Sequence, residues 1–266
     1  MMRITILGSG ANGGIPQINC RCRVCQIARR SPIESRTRSS ILVKIAHTGH
    51  LLFDATPDLR LQLIRNNIIS EDISYIFITH SHFDHVLGLF EFLADTRDEN
   101  MRITICSDSD VLAKCQEIYG INLEEKFNLL ERSDILVSPS LRVRWFEVPH
   151  TSPKFGPTIG FSLKYNKTTL IYIPDIARYT EDVINRFYGC DIAILDGTFF
   201  ERSRFNHASI LEAIEVINRM EDGKPKKVYF THINHTEGLH SELRRRVKKY
   251  GDMFDILRDS QIIMAR

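Results

Sequence analysis

Apolar residues recur along the chain in short runs with strand character, at positions 4–7, 41–45, 51–53, 75–78, 103–106, 143–148, 169–173, 192–195 and 228–230. Between them, segments 57–66, 108–119, 180–188, 208–220 and 238–249 carry helical spacing. Asp108, Thr180 and Ser209 or His207 stand where helix N-caps belong. The stretch His47-Thr48-Gly49-His50 joins two apolar runs as a hairpin. Strands crowd the first half, whereas strand and helix alternate in the second. This mixture predicts a layered α/β protein with two sheets and helices outside. No repeat or Pro/Gly/Ser-rich linker divides residues 1–266, so one domain is the expectation.

Composition adds little beyond this. With 43% hydrophobic and 26% charged residues, the chain has an ordinary soluble, globular profile. A net charge of +2 argues for neither a nucleic-acid nor a membrane partner. The run Arg244-Arg245-Arg246 with Lys248-Lys249 reads as a solvated helix face. No apolar run approaches the roughly 20 residues of a membrane span, and the first residues do not read as a signal peptide, so a cytoplasmic location is expected.

Gly8-Ser9-Gly10-Ala11-Asn12-Gly13 matches G-x-G-x-x-G after a strand, the dinucleotide-binding pattern. That pattern needs a helix to open at the glycines and an acidic residue about 20 positions on. Here Pro16 and a cysteine cluster follow, and Asp54 lies too far away. The glycines are better explained by a loop passing close beneath an active site.

The chemistry concentrates at Thr79-His80-Ser81-His82-Phe83-Asp84-His85, directly after an apolar strand. Side chains two apart in extended backbone point the same way, so His80 and His82 can grip one metal. Asp84 and His85, where a helix begins, can serve a second. His150, Asp175 and His232 each follow an apolar strand and supply what a binuclear site still lacks, with Asp175 the candidate bridge. Imidazole and carboxylate donors suit zinc, manganese or iron. Cys20-Arg-Cys22-Arg-Val-Cys25 is tight enough to fold around one structural zinc, with His235 as fourth ligand and His240 as the second choice. Cys106, Cys115 and Cys190 read as small buried residues.

In order and residue type, Asp54, the His-x-His-x-Asp-His motif, His150, Asp175 and His232 resemble the metallo-β-lactamase-fold hydrolases along nearly the whole chain. The resemblance implies an αββα four-layer sandwich. It places His80, His82 and His150 at one metal and Asp84, His85 and His232 at the other, with Asp175 shared and Asp54 supporting ligands rather than binding metal. Residues 6–10, Pro16-Gln17, the cysteine knuckle, residues 56–60 and Asp196-Gly197-Thr198 resemble the pyrroloquinoline quinone biosynthesis protein B group. The knuckle, His232 with His235, the intact motif and His207 resemble the cyclic ribose phosphate phosphodiesterases of the carbon–phosphorus lyase pathway. Members of the first group commonly depart from the metal motif and carry asparagine where this chain has His235.

A complete ligand set therefore favours a binuclear phosphodiesterase acting on a small or cyclic ribose or nucleotide phosphodiester through metal-activated water. His207 would protonate the leaving alkoxide, with Asp84 also counted as catalytic and Asp196 orienting His207 or a ligand. The alternatives are a quinone-pathway oxidoreductase, hydroxylase or carrier, and a ribonuclease of the same fold. A homodimer is implied by the resemblance alone. Loops 122–132 and 152–157 are expected to line the pocket, but carry no readable code for the substrate.

Overall fold

The computed structural model describes residues 1–46, 48–93, 103–120 and 122–265. The first half forms β1 (Met2–Gly8), α1 (Arg23–Ala28), β2 (Ser40–Ile45), β3 (His50–Phe53), α2 (Leu59–Arg65), β4 (Ile73–Phe77), α3 (Phe83–Val86), α4 (Leu89–Leu93), β5 (Thr104–Cys106), α5 (Ser109–Tyr119), α6 (Leu123–Lys126) and β6 (Asn128–Leu130). The second half forms β7 (Asp134–Ser138), β8 (Leu141–Val148), β9 (Thr158–Tyr165), β10 (Thr168–Ile173), α7 (Glu181–Asn185), β11 (Ile192–Asp196), α8 (Ile210–Arg219), β12 (Lys227–Thr231), α9 (His240–Lys248), β13 (Phe254–Ile256) and β14 (Ile262–Ala265).

Two seven-stranded sheets result, ordered β14-β1-β2-β3-β4-β5-β6 and β13-β12-β11-β10-β9-β8-β7. Strands β3 to β6 run parallel, and so do β10 to β13, so each sheet gathers carboxyl ends along one edge. Buried apolar residues divide into three clusters, one between the sheets and one between each sheet and its outer helices. This is the expected four-layer αββα sandwich, because both faces of each sheet need an apolar cover. Between the sheets, Phe53 stacks on Phe77 at 4.8 Å and meets Phe161 and Tyr172 edge-on at 5.5 and 5.7 Å. Offset and edge-on contacts are favourable arrangements for aromatic rings. Among the described residues no helix is long and apolar enough to cross a membrane.

Each apolar run expected to be a strand lies in one, although the ends move by a residue or two. Strands β6, β7, β9, β13 and β14 carried no clear sequence signal: β6 and β13 are only three residues long. In β9, Gly160 breaks the apolar alternation. A Cβ there would come within 2.9 Å of Ile173 and 3.0 Å of Phe146, so glycine makes room for two core side chains. The helix expected over 180–188 contracts to Glu181–Asn185. Asp108, Thr180 and Ser209 do cap α5, α7 and α8 through their side chains. His207 caps nothing, which removes the capping alternative for that residue. Strands β2 and β3 pair antiparallel as a hairpin, although His47 lies outside the described residues. The basic face of α9 is solvated and paired: Arg244 with Asp255, and Arg246 with Glu201.

The glycine-rich loop is a crossing point. Gly10 N–H donates to Thr37 O, Ala11 N–H to Ile233 O and Ile233 N–H to Ser9 O. A Cβ on Gly8 would lie 1.9 Å from Arg38 O, which is backbone and cannot rotate away. Gly8→Ala should therefore destabilise the fold by about 1–3 kcal/mol, since overpacking beside backbone has no cheap relief. Urea unfolding checks this, and an unchanged midpoint would contradict the crossing.

Candidate metal centre

The carboxyl edges of the two parallel strand sets meet at one place. Asp54 follows β3, His80 lies just beyond β4, Asp175 follows β10, Asp196 ends β11 and His232 follows β12. His150 follows β8 from the antiparallel side. Open α/β sheets put their ligand sites at this edge. Asp54 and His232 both take left-handed backbone, with φ of 60° and 58°, turning the chain sharply where each strand ends. Non-glycine residues in that region concentrate at functional sites.

All seven residues expected to bind metal are brought together. The groups whose donor atoms lie within 4.8 Å of one another include His80, His82 and His150; His80, His85 and Asp175; Asp84, His85 and His232; and His150, Asp175 and His207. His80 Nε2 lies 2.9 Å from His82 Nδ1. His85 Nε2 lies 2.8 Å from Asp175 Oδ2 and 3.4 Å from Asp84 Oδ2. His232 Nε2 lies 3.3 Å from both Asp84 Oδ2 and Asp175 Oδ1.

Hydrogen bonding decides which ring nitrogens carry protons. Thr79 Oγ1 gives its proton to Asp54 Oδ1, so it accepts from His80 Nδ1–H at 2.9 Å. His85 Nδ1–H donates to Asp54 Oδ2 at 2.9 Å. Thr198 Oγ1 gives its proton to Asp196 Oδ1 and accepts from His232 Nδ1–H at 2.8 Å. His150 Nδ1–H donates to Asn206 O at 2.8 Å. Four imidazoles thus keep their proton on the outer nitrogen and turn the Nε2 lone pair inward. His82 meets them with Nδ1, and the two buried oxygens of Asp175 accept no hydrogen bond. Lone pairs facing each other and a buried carboxylate at these distances need a cation between them. The donor set fits divalent metals well.

In the bare protein a proton has to take that place. Burial opposes charge on His85, but Asp54, Asp175 and Asp84 together hold it well above the ordinary histidine range. Burial would likewise raise Asp84 and Asp175, yet the surrounding histidines hold both well below the usual carboxylate range. For His80 burial dominates and favours the neutral ring.

Asp196 lies within hydrogen-bond reach, directly or through one hydroxyl, of both residues it was expected to choose between. It reaches His232 through Thr198 and accepts from His207 Nδ1 at 2.7 Å. Against the cost of burial, this carboxylate holds His207 up at about 9. The supporting residues Thr79 and Thr198 escaped the sequence reading. Their signal was position, one residue before a ligand and two after a buried aspartate.

The four knuckle residues also converge. His235 Nδ1 lies 3.4 Å from Cys20 Sγ and 3.5 Å from Cys22 Sγ, and all four donor atoms, Cys25 included, fall within 4.8 Å. Burial opposes ionisation of Cys22, but hydrogen bonds from His235 and Cys25 N bring it down to about 6, while burial pushes Cys25 up to about 11. His240, the second choice, is elsewhere: its Nδ1 faces the buried Arg36 guanidinium at 3.0 Å. Cys106, Cys115 and Cys190 are buried, as expected.

Above the metal-ligand candidates opens a cavity of about 320 Å³, walled by Phe155, Phe199 and Phe205 with Asn12, Asn206 and Asn234. Of the two loops expected there, 152–157 contributes Ser152 and Phe155. Segment 122–132 contributes nothing, because it folds into α6 and β6 and joins the outer core through Leu123 and Phe127.

Comparison with known proteins agrees with this geometry. A β-lactamase superfamily domain model matches residues 50–233. The chain belongs to the β-lactamase superfamily. Within that superfamily it is 29% identical to the coenzyme PQQ synthesis protein B of Methylorubrum extorquens, over 88% of this chain and 90% of that protein. The Zn2+-bound PqqB structure from Methylobacterium extorquens superposes with a TM-score of 0.83 at 26% identity, covering 99% of this chain and all of the other. A diphosphatase of the PhnP family superposes equally well, with a TM-score of 0.83 at 22% identity, covering 100% and 98% of the two chains. The metallo-β-lactamase fold is thereby established, and the superfamily includes metal-dependent hydrolases.

Asp54→Asn preserves shape but sets an amide NH2 against either Thr79 or His85, both of which donate. One buried donor is stranded, which should cost about 1–3 kcal/mol. Urea unfolding of the chelated protein measures the loss, and wild-type stability would show that Asp54 does not hold these protons.

Proposed function

We propose that the chain is a binuclear metal-dependent phosphodiesterase acting on a small or cyclic ribose or nucleotide phosphodiester. The observation that carries the reading is the inward-facing ring of imidazole lone pairs around Asp175, with outer nitrogens already committed. His80, His82 and His150 would hold one divalent ion and Asp84, His85 and His232 the other, with Asp175 available to both. Zinc, manganese and iron all suit these donors. Two bound ions supply the Lewis acidity that makes water nucleophilic near neutral pH and offsets charge on the phosphate oxygens.

The remaining steps belong to side chains. Asp54 and Asp196 keep the ligand rings in the binding tautomer, and Asp84 fixes the position of the second ion. Asp196 also holds His207 by Nδ1, which leaves the Nε2 proton for a leaving alkoxide. No lysine or arginine belongs to the described lining, so beside the bound ions the substrate's charge would meet His207, which Asp196 holds up at about 9. That arrangement suits a singly charged diester better than a polyanion. Cys20, Cys22, Cys25 and His235 hold a structural zinc that fixes the segment bearing His232.

Relatedness to PQQ synthesis protein B favours a second reading, a metal-dependent oxidoreductase of quinone coenzyme synthesis. Iron content together with substrate-dependent oxygen uptake separates it from hydrolysis.

Metal analysis combined with a screen of bis(p-nitrophenyl) phosphate and 2′,3′-cyclic nucleotides tests the main reading. Turnover is expected with zinc or manganese, and its absence with both would remove the hydrolase assignment. His207→Ala should retain metal yet lose about 10²-fold on an alkoxide leaving group, with little loss on nitrophenolate, which needs no proton. Equal losses on both would show that His207 is not the acid. Cys25→Ser should carry one metal fewer per chain while keeping the active-site pair, a result read by elemental analysis, and undiminished metal would remove the structural zinc.

A further inference from the structure

One wall of the cavity is built against local preference. Arg204 and His207 exchange backbone hydrogen bonds at 3.0 and 2.8 Å, closing a two-residue turn over Phe205 and Asn206. Both central residues are left-handed, with φ of 49° and 61°. Such a turn favours asparagine and glycine, and disfavours a large aromatic residue at its first position. The turn itself is needed, because Asn206 O holds the His150 proton and His207 follows at once. Neither duty requires a phenyl ring at 205.

The ring is also not core. Phe205 is 85% exposed and touches Phe199 only at a centroid distance of 6.1 Å. It borders both the metal cavity and the adjoining groove of Arg202, Arg204 and His235. Around it stand amides that offer both donors and acceptors: Asn12 and Asn206 are exposed, and Asn234, also in the cavity lining, turns its Oδ1 to Thr236 N and Oγ1. An aromatic face ringed by amides suits a flat heteroaromatic ring with polar edges better than an alkyl chain or a bare sugar.

We propose that Phe205 is a specificity-determining stacking platform, and that the substrate carries a nucleobase which packs on it while the phosphodiester lies at the metals. The inference rests on the phosphodiesterase reading, whereas the binding arm of its test does not.

Phe205→Asn is the informative variant, because asparagine accepts left-handed backbone and keeps the turn while removing the ring. Thymidine 5′-(p-nitrophenyl phosphate) and methyl p-nitrophenyl phosphate share a leaving group and differ in the nucleoside. The wild type should prefer the thymidine ester, and the ratio of kcat/KM values should fall about tenfold in the variant, the size of one base–aromatic stack. An unchanged ratio, or a wild type without preference, overturns the proposal. If neither ester is turned over, the phosphodiesterase reading fails by itself. Calorimetric titration of the metal-loaded protein with AMP and ribose 5-phosphate then decides the platform separately. AMP should bind more tightly than the sugar phosphate, and Phe205→Asn should remove about tenfold of that difference. An advantage that survives the substitution would refute the platform.

Discussion

A buried imidazole can serve a metal only if the proton it keeps sits on the far nitrogen, and two buried carboxylates impose this on the centre. Asp54 takes Thr79 N–H and Oγ1–H on one oxygen and His85 Nδ1–H on the other. Asp196 repeats the scheme, taking Thr198 N–H and Oγ1–H on Oδ1 and His207 Nδ1–H on Oδ2. Each threonine, having spent its proton on the carboxylate, can only accept from its histidine. His80 and His232 are therefore fixed through one intervening hydroxyl, and His85 and His207 directly. Residues behind metal ligands tune both orientation and basicity, and two carboxylates stand in that position behind the candidate ligands.

The duplication follows from the architecture. Asp54 and Asp196 occupy comparable places, at the carboxyl ends of strands in opposite sheets, and each is beside a further strand that delivers histidine ligands. The sheets can present these ends to each other only if their packing is rigid. The aromatic cluster of Phe53, Phe77, Phe161 and Tyr172 fills that space, and Tyr172 OH donates to Asp54 Oδ2 at 3.3 Å. Core and site are thus one continuous object. A shift between the sheets would break this hydrogen bond, which ties the carboxylate to the opposite sheet.

Much of this was legible in the sequence, for a physical reason. Metal chemistry restricts the donors to a few residue types, and strand ends fix where those residues stand relative to apolar runs. His80, His82, Asp84 and His85 announce themselves in one motif, and His150, Asp175 and His232 each follow an apolar strand. What stayed illegible depends on contacts between distant segments. Thr79 and Thr198 matter only because Asp54 and Asp196 are folded against them. The carbonyl of Asn206 bonds across 56 positions to His150 and has no side-chain signature. Segment 122–132 looked like a free loop because the apolar contacts of Leu123 and Phe127 are made with remote helices and strands. The cysteine knuckle divided more simply: three thiols were adjacent, and only the fold could choose His235 over His240.

That choice also explains the glycines. Ile233 lies between the last candidate ligand of the active centre and the last of the knuckle, and its backbone is bonded on both sides to the loop at Ser9 and Ala11. The loop must cross Thr37 and Arg38 to get there; at Gly8 it has space only for hydrogen, and at Gly10 a Cβ would crowd Arg36 and Thr37 at 3.0 and 3.1 Å. The pattern that mimics a nucleotide-binding turn is therefore a splice. It ties the first strand of the chain to the short segment that carries His232 at one end and His235 at the other. With both ends of that segment anchored, the left-handed turn at His232 is held in place by the fold, and the ring nitrogen is aimed before any metal arrives.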